Sequence, residues 1–233
     1  MKYFETELPN GYIAAKEVDA KNKKVAIVFS LISFAVLAVT LVVAWFALFS
    51  EYDESFDEIL QTRVLLENPW SNLIHLAVFI VALIAYVILH ELTHGLVYKI
   101  LTKQKLTFGL TLSVAYCGVP NIYVYRKTAL LSLLAPFIVF LPIFLVPMFF
   151  LQNYLDILLF AFMLGMHVGG CVGDLYDTAL YALVFRDKST LMRDTGPKQT
   201  FYVLQTSPLG QKILECNKTA ADDISQTESS DNK

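Results

Sequence analysis

Long apolar runs dominate the chain, and the polar stretches between them give its organisation. Four runs exceed the roughly 20 residues needed to cross a bilayer: Val25 to Phe49, Leu73 to Leu101, Ala129 to Leu151 and Tyr154 to Phe185. The pattern predicts an all-α polytopic membrane protein with four transmembrane helices. Pro136, Pro142 and Pro147 in the third run predict a bent helix, whose freed carbonyls need partners inside the bundle. Between the second and third runs, Leu106 to Tyr125 reads LTFGLTLSVAYCGVPNIYVY. It is rich in β-branched and aromatic residues and is interrupted by Gly109 and by Gly118 to Asn121. That predicts a short β-hairpin-like segment between helices 2 and 3.

Composition strengthens the membrane reading, since 56% of the 233 residues are hydrophobic, more than an ordinary soluble domain carries. The net charge of −3 matters less than where the charges stand. Lys21, Lys23 and Lys24 precede the first run; Lys103, Lys105, Arg126 and Lys127 lie between the second and third; Arg186, Lys188, Arg193 and Lys198 follow the fourth. The loop from Glu51 to Glu67 is acidic apart from Arg63 and reads as a solvated connector. The bias of basic residues toward cytoplasmic loops places both termini in the cytoplasm. Residues 1–24 are then a cytoplasmic amino-terminal segment and 25–185 a four-span membrane domain. Residues 186–218 form a cytoplasmic carboxyl-terminal segment, and 219–233 an acidic tail expected to be disordered. No basic stripe suits nucleic acid. Cys117, Cys171 and Cys216 are odd in number and scattered, so no disulfide framework is expected.

The candidate chemistry lies in the second run, where Ile88 to Lys99 reads ILHELTHGLVYK. Helical positions four apart share a face, so His90 and His94 project from consecutive turns of one side. Two imidazoles so placed can grip one zinc ion, and Glu91 beside them can move a proton between water and a leaving amine. The motif occurs by chance on soluble helices. A charged residue at the centre of a span costs about 2.5–3.5 kcal/mol on insertion scales, so here decoration is the weaker explanation. A proton or ion path remains open, although it needs no such spacing.

Zinc requires a third protein ligand. The fourth run holds the other dense polar cluster, Gly165 to Asp177 (GMHVGGCVGDLYD). His90 and His94 lie about nine residues from the cytoplasmic end of their span and Asp174 about eleven from the end of its own. At about 1.5 Å per residue these depths agree. Gly169, Gly170 and Gly173 flank Asp174 and allow close helix packing. Asp174 is therefore the expected third ligand, with Asp177 as runner-up. His167, one face but about 10 Å further from the cytoplasm, and Cys117 in the hairpin are possible supporting residues or alternative ligands. Cys171 reads as a small core residue.

The runs His90-Glu91-Leu92-Thr93-His94-Gly95 and His167-Val168-Gly169-Gly170-Cys171-Val172-Gly173-Asp174, with Leu134-Ala135-Pro136 between them, resemble a bacterial family of four-span zincin peptidases. More distantly they are similar to the site-2 intramembrane metalloproteases. In the latter the third-ligand helix usually carries Asp-Gly in that order, whereas here glycine precedes aspartate. The resemblance covers about residues 70 to 200. It implies a zinc-dependent intramembrane endopeptidase in the bacterial plasma membrane, acting on membrane-protein or peptide substrates. Because a helical peptide bond is shielded, a substrate span must unwind, and the hairpin can offer an edge to hold it extended. The competing reading is a non-catalytic membrane metal-binding, transport or scaffold protein. Such a protein would tolerate loss of Glu91, since metal ligation needs the histidines but only hydrolysis needs the base.

Overall fold

The computed structural model describes residues 2–51, 69–111, 115–151 and 154–230. Three helices are long and apolar enough to cross a membrane: α1 (Lys23–Glu51), α2 (Pro69–Thr102) and α3 (Arg126–Leu145), the last extended by a 3-10 turn at Val146–Phe149. Their outward faces are covered by exposed apolar side chains such as Phe34, Val81, Ile100 and Ile138. Such a surface suits hydrocarbon and would be a liability in water. The fourth expected run is not one helix. It divides at Cys171 into α4 (Tyr154–Gly170) and α5 (Val172–Leu183), bent by 46°. Gly169 and Gly170 just before the break weaken the helix there. The described residues thus hold three membrane-length helices, or up to four spans if the bent pair counts as one.

α1 rests on α4, and α2 on α3. Gly165 and Gly169 make the first contact close. A Cβ on Gly165 would lie 2.7 Å from Leu37, and one on Gly169 would lie 3.0 Å from the Ser33 carbonyl. The Ser33 hydroxyl donates to the Gly169 carbonyl at 2.6 Å. Small residues at matching positions let two helices approach where lipid offers no hydrophobic drive.

The all-α expectation needs correction, because a five-stranded antiparallel sheet caps one end of the helices. Its order is β1 (Phe4–Glu5), β5 (Tyr123–Tyr125), β6 (Leu191–Asp194), β7 (Lys198–Leu204) and β2 (Tyr12–Asp19). The strands come from the amino-terminal segment, the loop between α2 and α3, and the segment after α5. These are the three stretches whose basic residues placed them on one side, and the sheet joins them physically. β2 pairs with β7 from Tyr12↔Leu204 to Asp19↔Lys198, with a register shift between Ala14 and Lys16. That irregularity breaks the period-2 signal, and the partner lies almost a whole chain away. The sheet and the helix ends share a core that includes Val18, Tyr98, Ile122, Val124, Tyr181, Met192 and Phe201.

The hairpin is present but shorter than expected. β3 (Thr107–Leu110) pairs with β4 (Ala115–Gly118), from Thr107↔Gly118 to Leu110↔Ala115, while residues 112–114 lie outside the described ones. Tyr123–Tyr125, expected within the hairpin segment, joins the larger sheet instead. The far end of β4 abuts the β6–β7 turn. The Val119 N–H donates to the Asp194 carbonyl at 2.9 Å, and a Cβ on Gly118 would collide with the Gly196 nitrogen. Gly196 itself turns through φ 97°, where a side chain would be strained.

Helix α6 runs Pro208–Ser230, across the start of the segment expected to be an acidic tail. The acidic connector beyond Glu51 lies outside the described residues.

Candidate metal centre

α2 carries His90 and His94 on its buried face, with Glu91 partly buried beside them. Opposite stands Asp174 in the first turn of α5, where the positive end of the helix dipole favours a carboxylate. The break at Cys171 gives Asp174 that position. Its Oδ2 lies 3.5 Å from His90 Nε2 and 3.2 Å from His94 Nε2. These three donor atoms all lie within 4.8 Å of one another.

The hydrogen bonds on the far side of each imidazole fix which nitrogen faces the carboxylate. His94 Nδ1 is 2.9 Å from the Ser132 carbonyl. A carbonyl only accepts, so Nδ1 carries a hydrogen, and in the neutral imidazole the lone pair is then on Nε2. That carbonyl is available because Pro136, four residues on, has no N–H to take it. The freed carbonyl expected from the prolines of the third run is thus supplied to the site.

His90 is fixed by a longer chain of contacts. His167 Nε2 lies 3.4 Å from the Phe137 carbonyl, which makes it the donor there. His167 Nδ1 then accepts from the Tyr86 hydroxyl at 2.9 Å, and the Tyr86 oxygen accepts from His90 Nδ1–H at 3.3 Å. His90 Nε2 is left free to face Asp174. Two Nε2 atoms and a carboxylate oxygen therefore converge; with both imidazoles neutral, this set suits zinc in type and number of ligands.

His90, His167 and Cys171 also bring donor atoms within 4.8 Å of one another. The Tyr86 hydroxyl already contacts both imidazoles of that group, and Cys171 Sγ is 3.7 Å from His167 Nδ1. This is a hydrogen-bond hub centred on Tyr86, and it explains why a polar His167 is fully buried in the helix bundle.

Residues 83–190 match the family described as putative zincin peptidase. No curated protein and no solved structure gives a significant match. The part matched by the zincin peptidase family holds His90, Glu91, His94, His167, Asp174 and Asp177, together with the β3–β4 hairpin. It leaves out α1, β1, β2, β6 and β7.

The remaining candidates separate cleanly. Cys117, buried in β4, does not join the convergent donors among the described residues; its backbone N–H is turned toward the Glu91 carboxylate. Gly95 makes room for that strand, since a Cβ there would lie 2.9 Å from the Phe108 ring and 3.1 Å from Cys117 Sγ. Asp177 is buried one turn along α5 and is likewise outside the donor group. Sequence reasoning passed over two residues. Tyr86 stands four before His90, so the spacing alone put it on the same face. Asp194 in β6 accepts from the Tyr98 hydroxyl at 2.7 Å and the Gly196 N–H at 2.8 Å. Burial pushes its carboxyl up to about 6 even against those donors.

A cleft of about 480 Å³ reaches this centre. Phe29, Ser33 and Leu37 of α1 line one wall and Tyr86, His90 and Glu91 of α2 another, with Ala115 to Cys117 of β4 toward the sheet. Tyr86→Phe removes the link between His167 and His90 while keeping the ring. Partners of this kind typically carry 10–100-fold in metal affinity. A loss of about tenfold or more is expected in chelator competition, and unchanged affinity would mean that the Tyr86 hydroxyl does not support His90.

Proposed function

We propose that this protein is a zinc-dependent intramembrane endopeptidase that hydrolyses peptide bonds of membrane-associated substrates, akin to the site-2 enzymes. The observation that carries the reading is the convergence of His90 Nε2, His94 Nε2 and Asp174 Oδ2 next to Glu91, within a cleft between apolar helices. The zincin peptidase match over the same residues supports it. In this reading His90, His94 and Asp174 hold the ion. Zinc bound there supplies Lewis acidity to water and to the peptide carbonyl.

The chain's own groups have defined tasks. Glu91 takes a proton from the attacking water and returns it to the leaving amine nitrogen. Ser132 and Tyr86 hold the two imidazoles in their tautomers. The cleft, walled by α1 and α2, admits an apolar segment from the side. β4 pairs with β3 alone among the described residues, and Ala115 to Cys117 line the cleft. Its second edge can hold an unwound substrate extended. The α4–α5 pair is one broken crossing, giving four spans with the sheet and both termini in the cytoplasm. The non-catalytic alternative explains the ligands equally well but gives Glu91 no task.

Metal analysis of the protein purified in neutral detergent tests the foundation. About one zinc per chain is expected, removable by chelation together with any peptidase activity. A metal-replete preparation that holds none would overturn the reading.

A further inference from the structure

The metal centre does not use every acidic group in its cleft. Asp177 also lines it, one turn beyond Asp174 and about 4.5 Å nearer the sheet. Its side chain is buried, with 3% of its surface exposed, and Oδ1 has no hydrogen-bond partner among the described residues. A buried carboxyl oxygen without a partner is costly, and such a group ordinarily pairs. Nothing among the described residues supplies the pair. Asp174 and Asp194 face Asp177 with the same sign. The cation that faces it is Lys16, which is exposed on β2 with Nζ held 5.6 Å from the Tyr176 ring centre. No lysine or arginine lines the cleft among the described residues, whereas Glu91, Asp174, Asp177 and Asp194 all do. Zinc held by His90, His94 and Asp174 would offset the charge at Asp174 and Glu91, and Asp177 and Asp194 lie outside that donor group.

We propose that Asp177, backed by Asp194, is a subsite for a cationic side chain of the substrate, an arginine or lysine placed on the sheet side of the bond to be cut. This deepens the peptidase reading and rests on it. The geometry fits the chemistry of membrane segments. Their cytoplasmic borders are enriched in lysine and arginine, and the sheet end of this protein carries its own basic loops. A substrate span lying in the cleft brings its border cation to Asp177 when its unwound end reaches the metal centre. The cation would give the Asp177 carboxyl, whose Oδ1 has no partner among the described residues, a charge-assisted contact.

The test uses the full chain, zinc-loaded and in neutral detergent, with Glu91→Gln to prevent turnover. The probe is an apolar leucine–alanine peptide ending in arginine, compared with the same peptide ending in citrulline, which keeps the shape and loses the charge. The arginine peptide is expected to bind roughly tenfold more tightly, the scale of one charge-assisted contact. Adding Asp177→Asn should shrink the ratio to about twofold or less, while Asp177→Glu, which restores the charge, should recover most of it. Zinc content of each variant checks that the site is intact. Equal binding of the two peptides, or a ratio untouched by Asp177→Asn, overturns the subsite. Because the ratio is read without hydrolysis, it stands apart from the peptidase reading. Cleavage of both peptides by the wild type with no arginine preference would sink the subsite alone. A preserved preference with no cleavage of any peptide would count for the subsite and against the peptidase.

Discussion

Glu91→Gln is expected to keep zinc bound and to lower peptide hydrolysis by on the order of 10²–10⁴-fold. The glutamine has the size of the glutamate, and its oxygen can still face the Cys117 N–H toward which the Glu91 carboxylate is turned. Neither packing nor ligation should change, because Glu91 is not among the convergent donors. What is lost is the ability to accept a proton and hand it on. Rates on any peptide cut by the wild type, with zinc content measured alongside, give the answer. Full hydrolysis by the variant would remove Glu91 as the base, and loss of zinc would make it a ligand instead.

Asp174→Ala should empty the site. Asp174 Oδ2 is the only anionic oxygen among the three convergent donors, and it contacts both imidazoles. Removing it leaves two neutral ligands on one helix. A drop in zinc affinity greater than about 100-fold is expected, beyond the 10–100-fold typical of outer partners. Asp177→Ala, one turn along the same helix, should retain its zinc. The comparison is decisive because the two aspartates share an element and a sign and differ only in where they face. If Asp177→Ala lost the metal and Asp174→Ala kept it, the ligand assignment would have to be exchanged.

The centre was far more legible in the sequence than the fold around it. His90 and His94 are local, their shared face set by helix geometry. Asp174 could be matched to them because, on the expected topology, both spans are measured in residues from a common boundary. Even the Ser132 carbonyl was foreshadowed, since Pro136 had to orphan an acceptor. The sheet was hidden for a different reason. β1 has two residues and β5 three, too few to show a period, and the β2–β7 pairing joins Tyr12 to Leu204. Tyr86 shared a face with the histidines, but aromatic residues are common in spans and nothing local distinguishes one that bridges two imidazoles. The fourth run is apolar on average despite its polar cluster, so hydropathy could not reveal that Asp174 sits just past a bend.

The carbonyl released by Pro136 also has a mechanical meaning. In an unbroken helix, Ser132 would be tied to its own α3 backbone one turn on; here the tie runs sideways to an imidazole of α2. The backbone of α3 and the posture of His94 are therefore coupled. The tie is doubled, because the Ser132 hydroxyl donates to the His94 carbonyl at 3.4 Å. Two helices that lipid alone would leave free to slide thus gain a crosslink with no covalent bond.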